Sequence, residues 1–153
     1  MDAHTLQVLE YDKVKALLRR YLATPLGVEL LDALRPESDL ARVRDQMRLS
    51  SEARRAVDLL LEPPLDPVHD LRPCLIRVGP EGSYLETREI LHIRDTLKTL
   101  HRALDYCRHL PAPFERMRRW SEQIEPQPEL VAAIERVVDD EGVVRDSASR
   151  ELK

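Results

Sequence analysis

Proline sets the segment lengths of this chain before any other residue type is considered. Eleven of the 153 residues are proline, and most stand in groups: Pro63, Pro64 and Pro67; Pro111 and Pro113; Pro126 and Pro128. A proline has no N–H to donate and its ring clashes with the preceding turn, so each group ends one helix or opens the next. The stretches between them carry apolar residues at spacings of three and four, the period of a helix buried on one side. Helices are therefore expected at about 5–34 (three short ones in succession), 39–61, 70–78, 87–109, 113–124 and 128–140. Only 4% of residues are aromatic and four are glycine, while 42% are hydrophobic. That composition fits packed helices rather than a sandwich or barrel, and the length fits one domain. The expected class is all-α and helical bundle-like, with at most a very short extended turn near 143–145.

Each long helix has a readable stripe. Leu40, Val43, Met47, Ala53, Val57 and Leu60 are expected to face the core, with Arg42, Asp45, Arg48, Glu52 and Arg55 outside. Ile90, Ile93, Leu97, Leu100, Leu104 and Cys107 repeat the pattern on a helix that spans about 35 Å at the usual rise. The two long helices are expected to pack together. Phe114, Met117, Trp120 and Ile124 place Trp120 in the core by their spacing. Caps are expected at Thr5, Asp12, Thr24 before Pro25, Ser38 or Asp39, and Asp70, because short oxygen-bearing side chains satisfy the first free N–H groups of a helix. Asp139-Asp-Glu-Gly142 ends the last full helix, and Ser149 is expected to cap a new one, so the chain reads as a fragment truncated at the start of that helix.

Two stretches together are more specific than any single motif. Thr5-Leu-Gln-Val-Leu-Glu-Tyr-Asp-Lys-Val-Lys-Ala-Leu-Leu runs into Ala23-Thr-Pro-Leu-Gly-Val-Glu-Leu-Leu and Pro36-Glu-Ser-Asp39-Leu, and the far end reads Glu141-Gly-Val-Val-Arg-Asp-Ser-Ala-Ser-Arg-Glu-Leu. Their order resembles the amino terminus of the bacterial second-type MutS paralogue. The resemblance implies that residues 1–153 are the amino-terminal part of a MutS-like core domain, a non-catalytic scaffold segment linking an ATPase to lever and clamp helices. It implies a cytoplasmic, homodimeric parent that uses ATP and Mg, cleaves nucleic acid, and engages branched DNA or the rRNA of a collided ribosome, suppressing homologous recombination. The phosphate-cradling pattern GxxxxGK[ST] and the Leu-Asp-Leu-His-Gly type nuclease motif are absent from this sequence, so no catalytic, cofactor-binding or metal-binding residue is assigned.

Charge supplies the candidate site. The net charge is −4, which gives no global basic field. Locally, residues 88–119 hold eight lysines and arginines against four acids, and residues 120–146 hold two against eight. Arg94, Lys98 and Arg102 recur every four residues on the side of the helix away from Leu97, Leu100 and Leu104, a stripe that suits a phosphate backbone. Arg116, Arg118 and Arg119 form a second basic group beside Trp120. The competing reading is a solvated face in which Asp95 and Asp105 pair with these bases locally.

Other constellations point away from chemistry. His92, His101 and His109 lie too far apart along one helix to share an ion, and Cys107 fits the apolar stripe as a buried thiol. His69 has no nucleophile beside it and reads as a surface or capping residue. Asp139, Asp140 and Glu141 leave a helix in different directions, which reads as a solvated helix end. Cys74 and Cys107 form no CxxC pair, as in a reduced cytosolic protein, and no run approaches the roughly eighteen apolar residues of a membrane span. The alternatives are a small helical nuclease or hydrolase and a stand-alone helical protein-interaction module. An exposed Trp120 or Tyr106 would mark the module.

Overall fold

The computed structural model describes residues 2–146 and 148, and the expected cap at Ser149 lies outside them. Among the described residues the regular structure is eight helices and one isolated antiparallel bridge, Val138 with Val144. The protein is all-α.

The first three helices form a compact run. In α1 (Ala3–Val8) Asp2 is the cap, accepting the Thr5 N–H at 2.8 Å, so Thr5 lies inside the helix. In α2 (Tyr11–Arg19) the cap position is Glu10, held left-handed at φ 52°, and Asp12 sits in the first turn. The expected caps at Thr5 and Asp12 are thus each displaced by two or three residues. In α3 (Pro25–Ala33) the Thr24 hydroxyl accepts the Gly27 N–H at 3.0 Å with Pro25 opening the helix, as the sequence requires. Arg19 pairs with Asp32, and Lys15 donates to the Asp32 carbonyl at 2.8 Å, which joins α2 to α3.

The long helix α4 (Leu40–Leu60) starts at Asp39, whose carboxylate accepts the Ala41 and Arg42 N–H groups. It ends at Leu61, where the backbone turns left-handed at φ 67° and the Tyr106 hydroxyl donates to the Leu61 carbonyl at 2.9 Å. The prolines that follow make a connector, with a cis bond at Asp66–Pro67. Helix α5 (Arg72–Arg77) begins after Asp70, which accepts both the Arg72 N–H and its guanidinium; those bonds hold the Asp70 carboxyl at about 2. Arg72 also reaches Glu29, docking α5 on α3.

Helix α6 (Thr87–Arg108) is the centre of the molecule. Glu89 accepts the Glu86 N–H at 2.9 Å in a capping box, and also takes Arg77 at 2.7 Å, fixing α5 against the start of α6. Helices α7 (Glu115–Ser121) and α8 (Pro128–Val137) both pack on α6, and α4 packs on α7. The two long helices therefore do not lie along one another. They meet at their C-terminal ends, where Ala56, Leu110 and Phe114 are buried with Leu60, Tyr106 and Met117 packed around them.

Two expected faces are rearranged. On α4, Leu40, Met47 and Val57 are exposed, while Glu52, assigned to the outer face, is 8% exposed. The reason is electrostatic: its carboxylate accepts the N–H groups of Arg116 at 3.1 Å and Met117 at 3.2 Å, so α4 caps the first turn of α7 from outside that helix. On α6, the buried set is Arg94, Thr96, Thr99 and Leu104, because neighbours cover more than one side of it. Helix α8 stops at Val137, three residues short of expectation, since Val138 becomes extended to bridge Val144 across a turn with Gly142 at φ 84°.

Removing the Glu52 carboxylate leaves two part-buried N–H groups without a partner. Glu52→Ala is expected to lower stability by about 1–3 kcal/mol, and Glu52→Gln by less, in urea unfolding followed by circular dichroism. Equal stability of Glu52→Ala and wild type would overturn the capping role.

Candidate nucleic-acid interface

The six basic residues singled out by sequence divide into three environments. Arg94 is only 6% exposed. Its guanidinium meets Asp95 at 2.8 Å and Asp140 at 2.8 Å, the latter on the turn after α8. Burial works to lower its pKa, but the two carboxylates outweigh it and hold the group above its ordinary value. Lys98 pairs with Glu135 of α8 at 2.8 Å, both ends half-exposed. Arg102 donates to the Thr99 hydroxyl at 2.8 Å and to the Asp66 carbonyl at 3.3 Å. The α6 stripe thus turns toward the acidic helix and the proline connector. Asp140 is correspondingly an anchor for Arg94 rather than only a solvated end, and Asp105 pairs with Arg108.

On α7, Arg116 is paired with Asp45 of α4; hydrogen bonding to Arg116 holds the Asp45 carboxyl below the usual range despite some desolvation. Arg118 is half-buried and Arg119 exposed, and among the described residues neither has a carboxylate within salt-bridge distance. Trp120 is 62% exposed, which corrects its expected place in the core: Phe114 and Met117 face α4, and Trp120 falls outside their arc.

A shallow groove of about 320 Å³ runs between the connector and α6, lined by Pro67, Asp95, Lys98, His101 and Arg102. It brings two of the three α6 cations together with an acid and an imidazole. His101 is committed, since its Nε2 accepts the Gln127 N–H at 2.9 Å and so positions the start of α8. His69, expected at the surface, is half-buried: its ring stacks on His92 with centroids 4.0 Å apart, and its backbone N–H donates to the Thr96 hydroxyl at 3.0 Å. Among the described residues no three His, Cys, Asp or Glu side chains converge as a metal site would need. Cys107 is half-buried, and burial pushes its thiol up.

A second groove, of about 490 Å³, lies along α4 and includes Arg44, Arg48 and Arg55. In the sequence Asp45 and Glu52 interleave with these arginines, so the face carries both signs. Both acids are turned to α7 instead.

Comparison with known proteins settles the kinship. The chain is 36% identical over 159 aligned residues to a protein of Geobacillus kaustophilus named Endonuclease MutS2, and 34% identical over 155 residues to one of the same name from Symbiobacterium thermophilum. The alignments cover 100% and 99% of this chain, and 20% and 19% of those relatives. A Halothermothrix orenii Endonuclease MutS2 is 27% identical over 161 residues, again across 100% of the chain and 20% of the relative. The chain belongs to the MutS2 family. It spans about a fifth of the length of the MutS2 relatives it matches. No family model matches it, and no solved structure matches it. Within this MutS2 segment no described helix is long and apolar enough to cross a membrane.

Two outcomes follow from the geometry. Arg94→Ala removes a buried stem and uncovers Asp95, and is expected to cost about 2 kcal/mol, whereas Lys98→Ala, at a half-exposed pair, is expected to cost under about 1 kcal/mol in the same urea assay. Burial first, then the charges of His69 and Arg88, hold His92 below its ordinary value, with Asp95 and Glu89 opposing. The folded state therefore resists protonation at His92 and the unfolded chain does not, so the contribution is complete above about pH 6.5 and declines as pH falls below it. Thermal unfolding at pH 7.5 and 5.5 should reveal a loss that His92→Gln reduces; an identical loss in that variant would exclude His92 as its source.

Proposed function

We infer that this segment is a scaffold within a MutS2-type DNA-binding endonuclease, holding other parts of the parent in register rather than carrying the reaction. The observation that supports it most is unfilled apolar surface. The chain exposes 11974 Å², against roughly 8,000 Å² for a compact monomer of this size. Leu17 on α2, Tyr21 in the turn after it, Leu30 on α3, and Leu75 and Ile76 on α5 stand in the open, with Tyr21 85% exposed. Apolar helix faces of this extent are what further chain is expected to cover. ATP and Mg belong, on this reading, to the parent's other regions, as do homodimer contacts, and branched DNA or the collided ribosome is the parent's ligand. Residues 1–153 form the amino-terminal part of its MutS-like core domain, in the cytoplasm.

One observation favours the second reading, a helical protein-interaction module: the exposed indole of Trp120. A chimera separates the two. This segment replaces the matching fifth of the Geobacillus kaustophilus relative, and nuclease activity and Trp120 emission are measured in the folded chimera. The scaffold reading expects cleavage to be retained within about tenfold, and emission to move to shorter wavelength as other chain covers the ring. Loss of cleavage in a folded chimera, or a Trp120 still open to iodide quenching, would favour the module. Nuclease activity in the isolated chain would exclude both.

A further inference from the structure

We propose that the groove along α4 binds the sugar–phosphate backbone of a nucleic acid through Arg44, Arg48 and Arg55. These residues and Ser51 follow one another at intervals of four, three and four, which places them in a single row. At the helical rise the row is about 16 Å long. All three guanidinium groups are exposed, and among the described residues none is within salt-bridge distance of a carboxylate, whereas Arg42, Arg94, Lys98, Arg108 and Arg116 each are.

The fold leaves this row positive by withdrawing the acids beside it. Asp45 holds Arg116, and Arg48 acts on it only as a more distant charge. Glu52 also lines the groove, but it is only 8% exposed and its Oε2 accepts the N–H groups of Arg116 and Met117. Arg55 is set in place over the Phe114 ring, 5.2 Å from its centre, which leaves its edge free to donate. The Ser51 hydroxyl already donates to the Met47 carbonyl at 2.8 Å, so the available donors are the arginines alone. Planar guanidinium forks match phosphate oxygens in pairs. Met47, 62% exposed between Arg44 and Arg48, gives the row an apolar floor suited to sugar.

Charge density selects the ligand. Each strand of duplex DNA carries a negative charge about every 3.4 Å along the axis. An acidic protein helix returns the same face only once per turn of about 5.4 Å. A straight row of three fixed cations gains most from the denser line. The inference does not depend on the scaffold role, since the groove is complete within this chain.

The test is fluorescence anisotropy of a labelled duplex of about 20 base pairs with the 153-residue chain, titrated between about 50 and 200 mM salt. Arg44→Glu with Arg48→Glu is compared with Arg20→Glu with Arg54→Glu, which changes net charge equally outside the groove. Expected is at least about tenfold weaker binding and a salt slope lower by about 2 for the first pair, and under about threefold for the second. Should the first pair lose helicity by circular dichroism, Arg44→Gln with Arg48→Gln takes its place with the same direction of change. Equal losses for the two pairs, no binding at the lowest salt, or tighter binding of polyglutamate than of the duplex would each overturn the proposal. Polyglutamate preference would mark an acidic-protein docking face, and failure here leaves the chimera result untouched.

Discussion

A guanidinium buried in the middle of the longest helix organises this protein. Arg94 cannot sit inside without compensation, because a charge removed from water costs far more than its hydrocarbon stem gains. Asp95 supplies one carboxylate from the same helix, and Asp140 supplies the other from the turn beyond α8. That second contact requires α8 to end where it does, Val138 to turn extended, and Val144 to close the bridge. Lys98 with Glu135 and His101 with the Gln127 N–H repeat the attachment along the same face of α6. The acidic and basic halves of the carboxy-terminal region are two sides of one helix–helix contact.

A second polar contact does the same for the other long helix. Glu52 reaches across to residues 64 and 65 positions later and supplies the cap that Phe114, at the start of α7, has no side-chain oxygen to provide. Among the described residues, the buried apolar side chains clustered around it are Ala56, Leu110 and Phe114. With so little apolar burial in the α4–α7 contact, its orientation is set by directional bonds, which specify geometry more narrowly than hydrophobic area does.

This explains what could be read from the sequence. Thr24 before Pro25, Asp39, and the proline groups act within a few residues of themselves, and the helices they bound appear in the expected order. The faces were less legible. A stripe argument assumes that a helix buries one side against one neighbour, and it fails for α6, where Arg94, Thr96 and Thr99 are inside. It fails for α4 because a charged residue is assigned outward by default, while Glu52 has a partner that only folding brings near. Of the six basic candidates, Arg94 has the expected local partner in Asp95, but Asp140, Glu135 and Asp45 reach Arg94, Lys98 and Arg116 from 46, 37 and 71 positions away, and no local pattern announces those pairings.

Leu61 gives the exit of α4 an unusual character. Its backbone, at φ 67° and ψ −170°, lies in a region that glycine enters freely and leucine does not. The side chain is left in solvent, and the residue is held by one phenol from α6 on its carbonyl. The angle at which α4 leaves the core is therefore tensioned like a sprung joint, with Tyr106 as its catch.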